Sequence, residues 1–297
     1  MFDEFKQAFQ RHNNAHVQLI IINVVIYLSI LLLYLLSFMP VFDSIFEVVY
    51  KQFSIPSDLS EFIVRPWTLI TYMFSHSVLD IFHILFNMLV LYWFGRLFVE
   101  YLGSDKMIAV YILGGLTGGI AYLLIYNLIP VVGNAEMVGA SGAIYAVVVA
   151  TAVLLPNYTF YLLFFGPVKI KYIAIFYVVL SMLSVRQGVN LGGNVAHLGG
   201  ALMGLIYMKQ LQVGINWGGW ITITIDWFKD LFKSKPKVRV TYRNEEPPKR
   251  TTKNSSSKST TVTSQDEIDA ILDKISDGGY ESLTKEEKEK LFNASKK

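Results

Sequence analysis

Long apolar runs separated by short polar connections fill the first three quarters of the chain, and the charges crowd into the last quarter. The first run, residues 17–39, carries no charge across 23 positions. At about 1.5 Å per residue it reaches about 34 Å, enough to cross a hydrocarbon core of about 30 Å. It is too long for a signal peptide, and no small-x-small cleavage site follows it. Five more runs follow at 78–95, 107–129, 137–155, 172–185 and 187–208. The second holds Asp80, His83 and Asn87, and the sixth holds a single ionisable residue, His197. The fifth is short, with an apolar stretch at 158–168 just ahead of it. This pattern predicts an all-α polytopic membrane protein with six transmembrane helices, spanning residues 17–212 after a short N-terminal segment, 1–16.

Lysine and arginine in the connections set the orientation. Lys6 and Arg11 precede the first run, Arg96 and Lys106 follow the second, Lys169 and Lys171 precede the fifth, and the tail is lysine-rich. These segments are expected in the cytoplasm, so both termini are inside. The long first connection, 40–77, then lies outside; its apolar stretches 42–50 and 66–74 place it in or on the outer leaflet.

Beyond the sixth run, residues 213–232 carry Trp217, Trp220 and Trp227, with Ile221, Ile225, Phe228 and Phe232 at helical spacing. Asp226, Lys229 and Asp230 make this a poor span, so it reads as an amphipathic helix at the inner interface. Residues 233–263 are rich in Lys, Ser, Thr and Pro and read as a disordered linker. Residues 264–297 regain helical pattern, with capping boxes at Ser264/Glu267 and Thr284/Glu287 and a turn at Asp277-Gly278-Gly279. This small cytoplasmic hairpin is expected to dock on an unknown cytoplasmic partner.

Composition narrows the function. Hydrophobic residues make up 53% of the chain and charged residues 16%, against about 25% charged in soluble domains. A net charge of +3 without a basic stripe excludes a nucleic-acid partner. The absence of cysteine excludes a disulfide framework, a thiol nucleophile and a Cys-ligated metal. The sequence has no His-Glu-x-x-His zinc motif, no Gly-x-Gly-Asp aspartyl motif and no Gly-x4-Gly-Lys nucleotide loop. No metal, nucleotide or other cofactor is therefore expected.

Polar residues inside a bilayer are costly, and each is a candidate for function. The expected topology puts His83, Asn87, Ser141 and His197 in the outer half of the membrane on three helices that run the same way. His83 and Asn87 are four apart and share a helix face. Ser141 lies between Gly139 and Gly142, and His197 is followed by Gly200 and Gly204, spacings that let helices approach closely. Such an approach brings the Ser141 hydroxyl to the His197 imidazole, the minimal activated nucleophile. No acidic residue lies in either helix, so the pair is a dyad. Asn87, His83 and the free Ser141 backbone N–H are the candidate donors to an oxyanion. Tyr145, one turn beyond Ser141, is placed to pack on the His197 ring. Read singly, each residue has a structural reading as a packing contact or a satisfied polar group. Their coincidence at one depth favours chemistry.

These residues resemble the rhomboid family of intramembrane serine proteases. Gly139-Ala140-Ser141-Gly142 is similar to the family's Gly-x-Ser-Gly motif. Ala196-His197-Leu198-Gly199-Gly200, with Gly204, is similar to its Ala-His-x-x-Gly-x-x-x-Gly motif, and His83 with Asn87 is similar to its His-x-x-x-Asn pair. The resemblance covers about residues 15–210 and implies a six-helix rhomboid-like bundle. It also implies Ser141 as nucleophile, His197 as general base, His83 and Asn87 as oxyanion donors, and Tyr145 stacked on the base. The implied partners are the lipid bilayer and transmembrane protein substrates cut near their outer ends, beside helix-weakening residues. The order Arg65-Pro66-Trp67 departs from the Trp-Arg of many members, and His76 has no assigned role. The tail lies outside the shared core; it is reminiscent of tails on rhomboids of Bacteroidetes-like bacteria, and a bacterial inner membrane is the expected location. A client-binding protein that does not cut would be expected to lack the serine or the histidine. A proton-conducting transporter would be expected to show inverted repeats or a mid-membrane acid, and neither occurs.

Overall fold

The computed structural model describes residues 13–129, 133–162, 165–232 and 265–294. Lys6, Arg11, the linker 233–263 and Ser264 lie outside the described residues, as do the side chains of Phe228 and Phe232. The chain divides into two units, residues 1–235 and 236–297.

In the first unit, helices form over all six apolar runs. They are α1 (Ala15–Leu36), α5 (Ile81–Leu102), α6 (Ser104–Leu128), α7 (Ser141–Leu154), α8 (Ile170–Gln187) and α9 (Leu191–Gln212). Four of them, α1, α5, α6 and α8, are long and apolar enough to cross a membrane by themselves. Local chemistry sets their ends. The Asp80 side chain caps α5 by accepting from the His83 amide at 3.1 Å. Gly188 in the left-handed region closes α8, and the Asn190 side chain caps α9 through the Gly193 amide at 3.3 Å.

The short helix α7 forms the centre, with every residue from Gly142 to Ala152 except Val149 buried, packed against α9, α6, α5 and α8. It is shorter than the run 137–155 because Glu136–Met137 form strand β2, paired antiparallel with Ile55–Pro56 (β1) of the first connection. Glycines set the close approach of the central helices. Gly114 of α6 faces Ala146, and Gly118 faces the Ala196 carbonyl. A Cβ on Gly200 or Gly204 would fall within 2.8 Å of backbone carbon of α7.

The first connection is ordered. It contains α2 (Pro40–Lys51), α3 (Leu59–Val64), α4 (Thr68–Thr71) and a 3-10 turn, Tyr72–Phe74. None of α2 is buried; Val41 and Val48 project from the protein, as an interfacial helix requires. Arg65 bonds Glu61 at 2.6 Å and the Lys51 carbonyl at 2.8 Å, and the Trp67 indole donates to Gln52 at 3.1 Å. Arg65 and Trp67 thus tie the end of α2 to the segment that joins α3 and α4. The apolar stretch ahead of α8 becomes a hairpin, β3 (Thr159–Leu162) with β4 (Gly166–Lys169).

Helix α10 (Gly219–Phe232) turns part of its apolar face to the protein. Ile221 is buried and Ile225 packs on the same core, while Trp220, Ile223 and Trp227 face outward. Ile221 and Ile225 meet the protein where Gly218, one step before the helix, closes onto Ala109 of α6.

The second unit comprises α11 (Gln265–Gly278), a 3-10 turn at Tyr280–Ser282 and α12 (Lys285–Ala294). Ile271 and Leu283 are its buried apolar residues among those described. The Thr284 amide donates to Glu287 at 2.7 Å and the Glu287 amide donates back to Thr284 Oγ1 at 3.3 Å, forming the second capping box. Gly279, at φ +74°, makes the turn.

Candidate active site

Ser141 is the first residue of α7, His83 the third of α5 and His197 the seventh of α9. All three lie near the beginnings of helices, and the fold brings them together. Ser141 Oγ is 2.7 Å from His197 Nε2. The approach depends on backbone meeting backbone: Gly200 sits over the Gly142 carbonyl, and Gly204 over Ala146 one turn further on. The Tyr145 ring lies parallel to the His197 ring, 4.2 Å away at 10°, in contact along its face.

Gly142 takes part in this helix contact, but Gly139 does not. Gly139 precedes α7 in the strap from β2, at φ +142°, with its amide donating to the Tyr72 carbonyl at 3.1 Å. A Cβ there would lie 3.3 Å from His83 Cε1 and 3.5 Å from Ser141 Oγ. Its bare backbone lets the strap pass between His83 and the serine, a different duty from the expected helix packing.

His83, Asn87, Ser141 and His197 line one cavity of about 740 Å³. Asn87 donates its amide to the His83 carbonyl at 2.8 Å, which uses one of its two N–H groups and leaves the other for a ligand. The first amides of α7, from Ser141 on, have no acceptor inside the helix. The arrangement holds a hydroxyl, an imidazole and several N–H donors around one space, the parts required for acyl transfer. No group of three or more His, Cys, Asp or Glu that could hold a metal occurs among the described residues.

Three contributors escape the sequence reading. Ser181 of α8 is buried, with Oγ 3.2 Å from His197 Nδ1 and 3.0 Å from the Tyr145 hydroxyl. Its only signal is a position seven residues after Ala174, which marks the small, inward face of an otherwise exposed helix. Tyr72 donates to the Gly115 carbonyl at 2.6 Å and borders the crossing of α6, α7 and α9. His76 is fully buried 5.2 Å from the His83 ring, and neither of its nitrogens has a hydrogen-bond partner among the described residues.

The family model described as the Rhomboid domain matches residues 64–211, and a family of unknown function, DUF6576, matches residues 258–297. RHOMBOID-like protein 12, mitochondrial, of Arabidopsis thaliana is 34% identical over 163 residues, covering 50% of this chain and 48% of that protein. The match thus spans about half the length of the relative. The matched residues hold α5 to α9 and with them every side chain that lines up on the Ser141–His197 pair, and through this rhomboid domain the chain belongs to the rhomboid family, as a multi-pass helical membrane protein.

Proposed function

We propose that the protein is an intramembrane serine endopeptidase that hydrolyses peptide bonds in or near transmembrane segments of other membrane proteins. The observation that carries this reading is the 2.7 Å contact of Ser141 Oγ with His197 Nε2 in a cavity that His83 and Asn87 also line. Ser141 attacks the scissile carbonyl as His197 Nε2 takes its proton. The negative charge that develops on the carbonyl oxygen is met by the Ser141 amide, the Asn87 side chain and His83. His197 then gives the proton to the leaving amine, and water repeats the sequence on the acyl-enzyme. The six helices α1 and α5 to α9 cross the membrane in this reading, both termini are cytoplasmic, and the membrane is a bacterial inner membrane. The lysine and arginine bias of the connections supports that orientation.

The test is labelling of the purified full-length protein in detergent with a fluorophosphonate, beside Ser141→Ala and His197→Ala, together with a model single-span substrate. Labelling is expected only where Ser141 is present and is expected to be weak without His197. Equal labelling of Ser141→Ala would overturn the assignment. Capture of the substrate by the wild type without a fragment would make the protein a binder.

A further inference from the structure

Helix α8 buries only Ile170, Ala174 and Ser181 among its residues, and Ser181 is 1% exposed. A buried hydroxyl needs partners. Those of Ser181 are His197 Nδ1 at 3.2 Å and the Tyr145 hydroxyl at 3.0 Å, and the Tyr145 hydroxyl lies in turn 3.4 Å from the Tyr177 carbonyl. We propose that Ser181, with Tyr145 and the Tyr177 carbonyl behind it, is a positioning residue that fixes the tautomer and orientation of the His197 imidazole. The proposal rests on Ser141 and His197 being the reacting pair.

The direction of this chain follows from its far end. The Tyr177 carbonyl can only accept, so it takes the Tyr145 hydrogen. The Tyr145 oxygen then accepts from Ser181. The Ser181 oxygen is left to accept, and the group facing it is His197 Nδ1, which must carry the hydrogen. A neutral imidazole has one protonated nitrogen, so Nε2 is bare and faces the Ser141 hydroxyl as an acceptor. With the chain reversed, Ser181 would donate to Nδ1, the Tyr145 oxygen would lose its donor, and Nε2–H would point at Ser141. That state cannot take the serine proton. The stacked Tyr145 ring holds the imidazole plane while its hydroxyl holds Ser181. A carboxylate on Nδ1 would perform the same task, but an ionised side chain on a helix as apolar as α8 is costly, and a hydroxyl is not.

Threonine and valine have nearly the same shape and differ in the hydroxyl, so Ser181→Thr and Ser181→Val separate the hydrogen bond from packing. With the full-length protein in detergent and the single-span substrate, Ser181→Val and Ser181→Ala are expected to lower kcat about tenfold, with KM little changed. Ser181→Thr is expected to restore most of the loss. Nitrogen-15 shifts of labelled histidine, with His197 assigned by its loss in His197→Gln, are expected to show Nδ1–H alone in the wild type and in Ser181→Thr. A mixture of tautomers is expected in Ser181→Val. Equal rates for Ser181→Val and wild type with unchanged tautomer would overturn the proposal, as would equal losses in the Thr and Val variants. A wild type that fails to label with fluorophosphonate, yet shows this dependence of the His197 shifts on residue 181, would uphold the positioning and overturn the protease.

Discussion

Gly200→Ala perturbs the contact on which the proposed reacting pair depends. A Cβ at this position would lie 2.8 Å from the Gly142 carbonyl carbon and closer still to its oxygen. Carbon atoms rest at about 3.5–4.0 Å, so α9 and α7 must part by about 1 Å at this level. Gly200 is one turn from His197 and Gly142 adjoins Ser141, so most of the displacement reaches the pair. The 2.7 Å contact then opens to about 3.5 Å, where a hydrogen bond is barely maintained. A misplacement of about 1 Å costs on the order of 100-fold in rate, and overpacking a close contact costs about 1–3 kcal/mol of stability.

The second-order rate constant for fluorophosphonate labelling of Ser141, measured beside the thermal unfolding midpoint in detergent, reads the two effects separately. Gly204→Ala is the comparison. Its Cβ would lie 2.8 Å from Ala146 Cα, a similar clash placed one turn farther from the chemistry. It is expected to lose similar stability and only about tenfold in labelling. If Gly200→Ala labels within about twofold of wild type, the view that backbone proximity sets the Ser141–His197 distance is wrong.

Other perturbations test neighbouring parts. Gly139→Ala places a Cβ at a φ of +142° against His83 and Ser141; a cost of about 1–3 kcal/mol is expected, with loss of substrate cleavage, and a wild-type melt would contradict it. Tyr72→Phe removes the 2.6 Å bond to the Gly115 carbonyl. That carbonyl belongs to α6 and keeps its helical acceptance, so the unfolding midpoint should fall by the equivalent of about 1 kcal/mol, and an unchanged midpoint would contradict the contact. In the tail, the Thr284 amide and then the Lys274 ammonium hold the Glu287 carboxyl down to about 2, from an ordinary 4.5. A depressed carboxylate stabilises the folded state above its unfolded pKa, and that contribution is lost as pH falls from about 4.5 through about 2. Hydrogen exchange at the Thr284 amide of the full chain should rise, after correction for intrinsic rates, across that window, and Glu287→Gln should abolish the dependence.

The parts of the fold that repeat at short range are legible in the sequence. The apolar runs mark the helices, and Gly200 and Gly204 at helical spacing mark the seam along which α9 meets α7. Ser141, His197, His83 and Asn87 stand out because polar groups are few among so many apolar ones. What is hidden depends on partners distant in sequence. The start of α7 moves from 137 to 141 because residues 136–137 pair with Ile55–Pro56, and nothing local announces that pairing. Ser181 looks like any serine in an apolar helix until α8 turns it toward His197. Gly139 and Gly142 look equivalent around the serine, but one is strap and the other helix, and only the backbone angle at Gly139 tells them apart. The inward turn of Ile221 is hidden for the same reason, since an apolar face has the same pattern whether it meets lipid or protein.

The late start of α7 links fold to chemistry. Had the helix begun at 137, the Ser141 amide would bond the Met137 carbonyl and be lost to a substrate. Beginning at Ser141 leaves the first amides without helical acceptors at the proposed nucleophile itself. Broken backbone at membrane depth is tolerated only where protein or a water-filled cavity meets it. Both conditions hold here. Residues 136–137 pair with β1, the Gly139 amide bonds Tyr72, and the free helix end opens on the 740 Å³ cavity. The strand pair, the glycine at positive φ and the short central helix therefore act together. They give the chain ahead of the serine backbone partners at 136–137 and Gly139 and leave the first amides of α7 free for a proposed oxyanion. A substitution that lengthened α7 toward its N-terminus would stabilise the helix and remove those donors, so stability and the proposed hydrolysis are opposed at this one helix end.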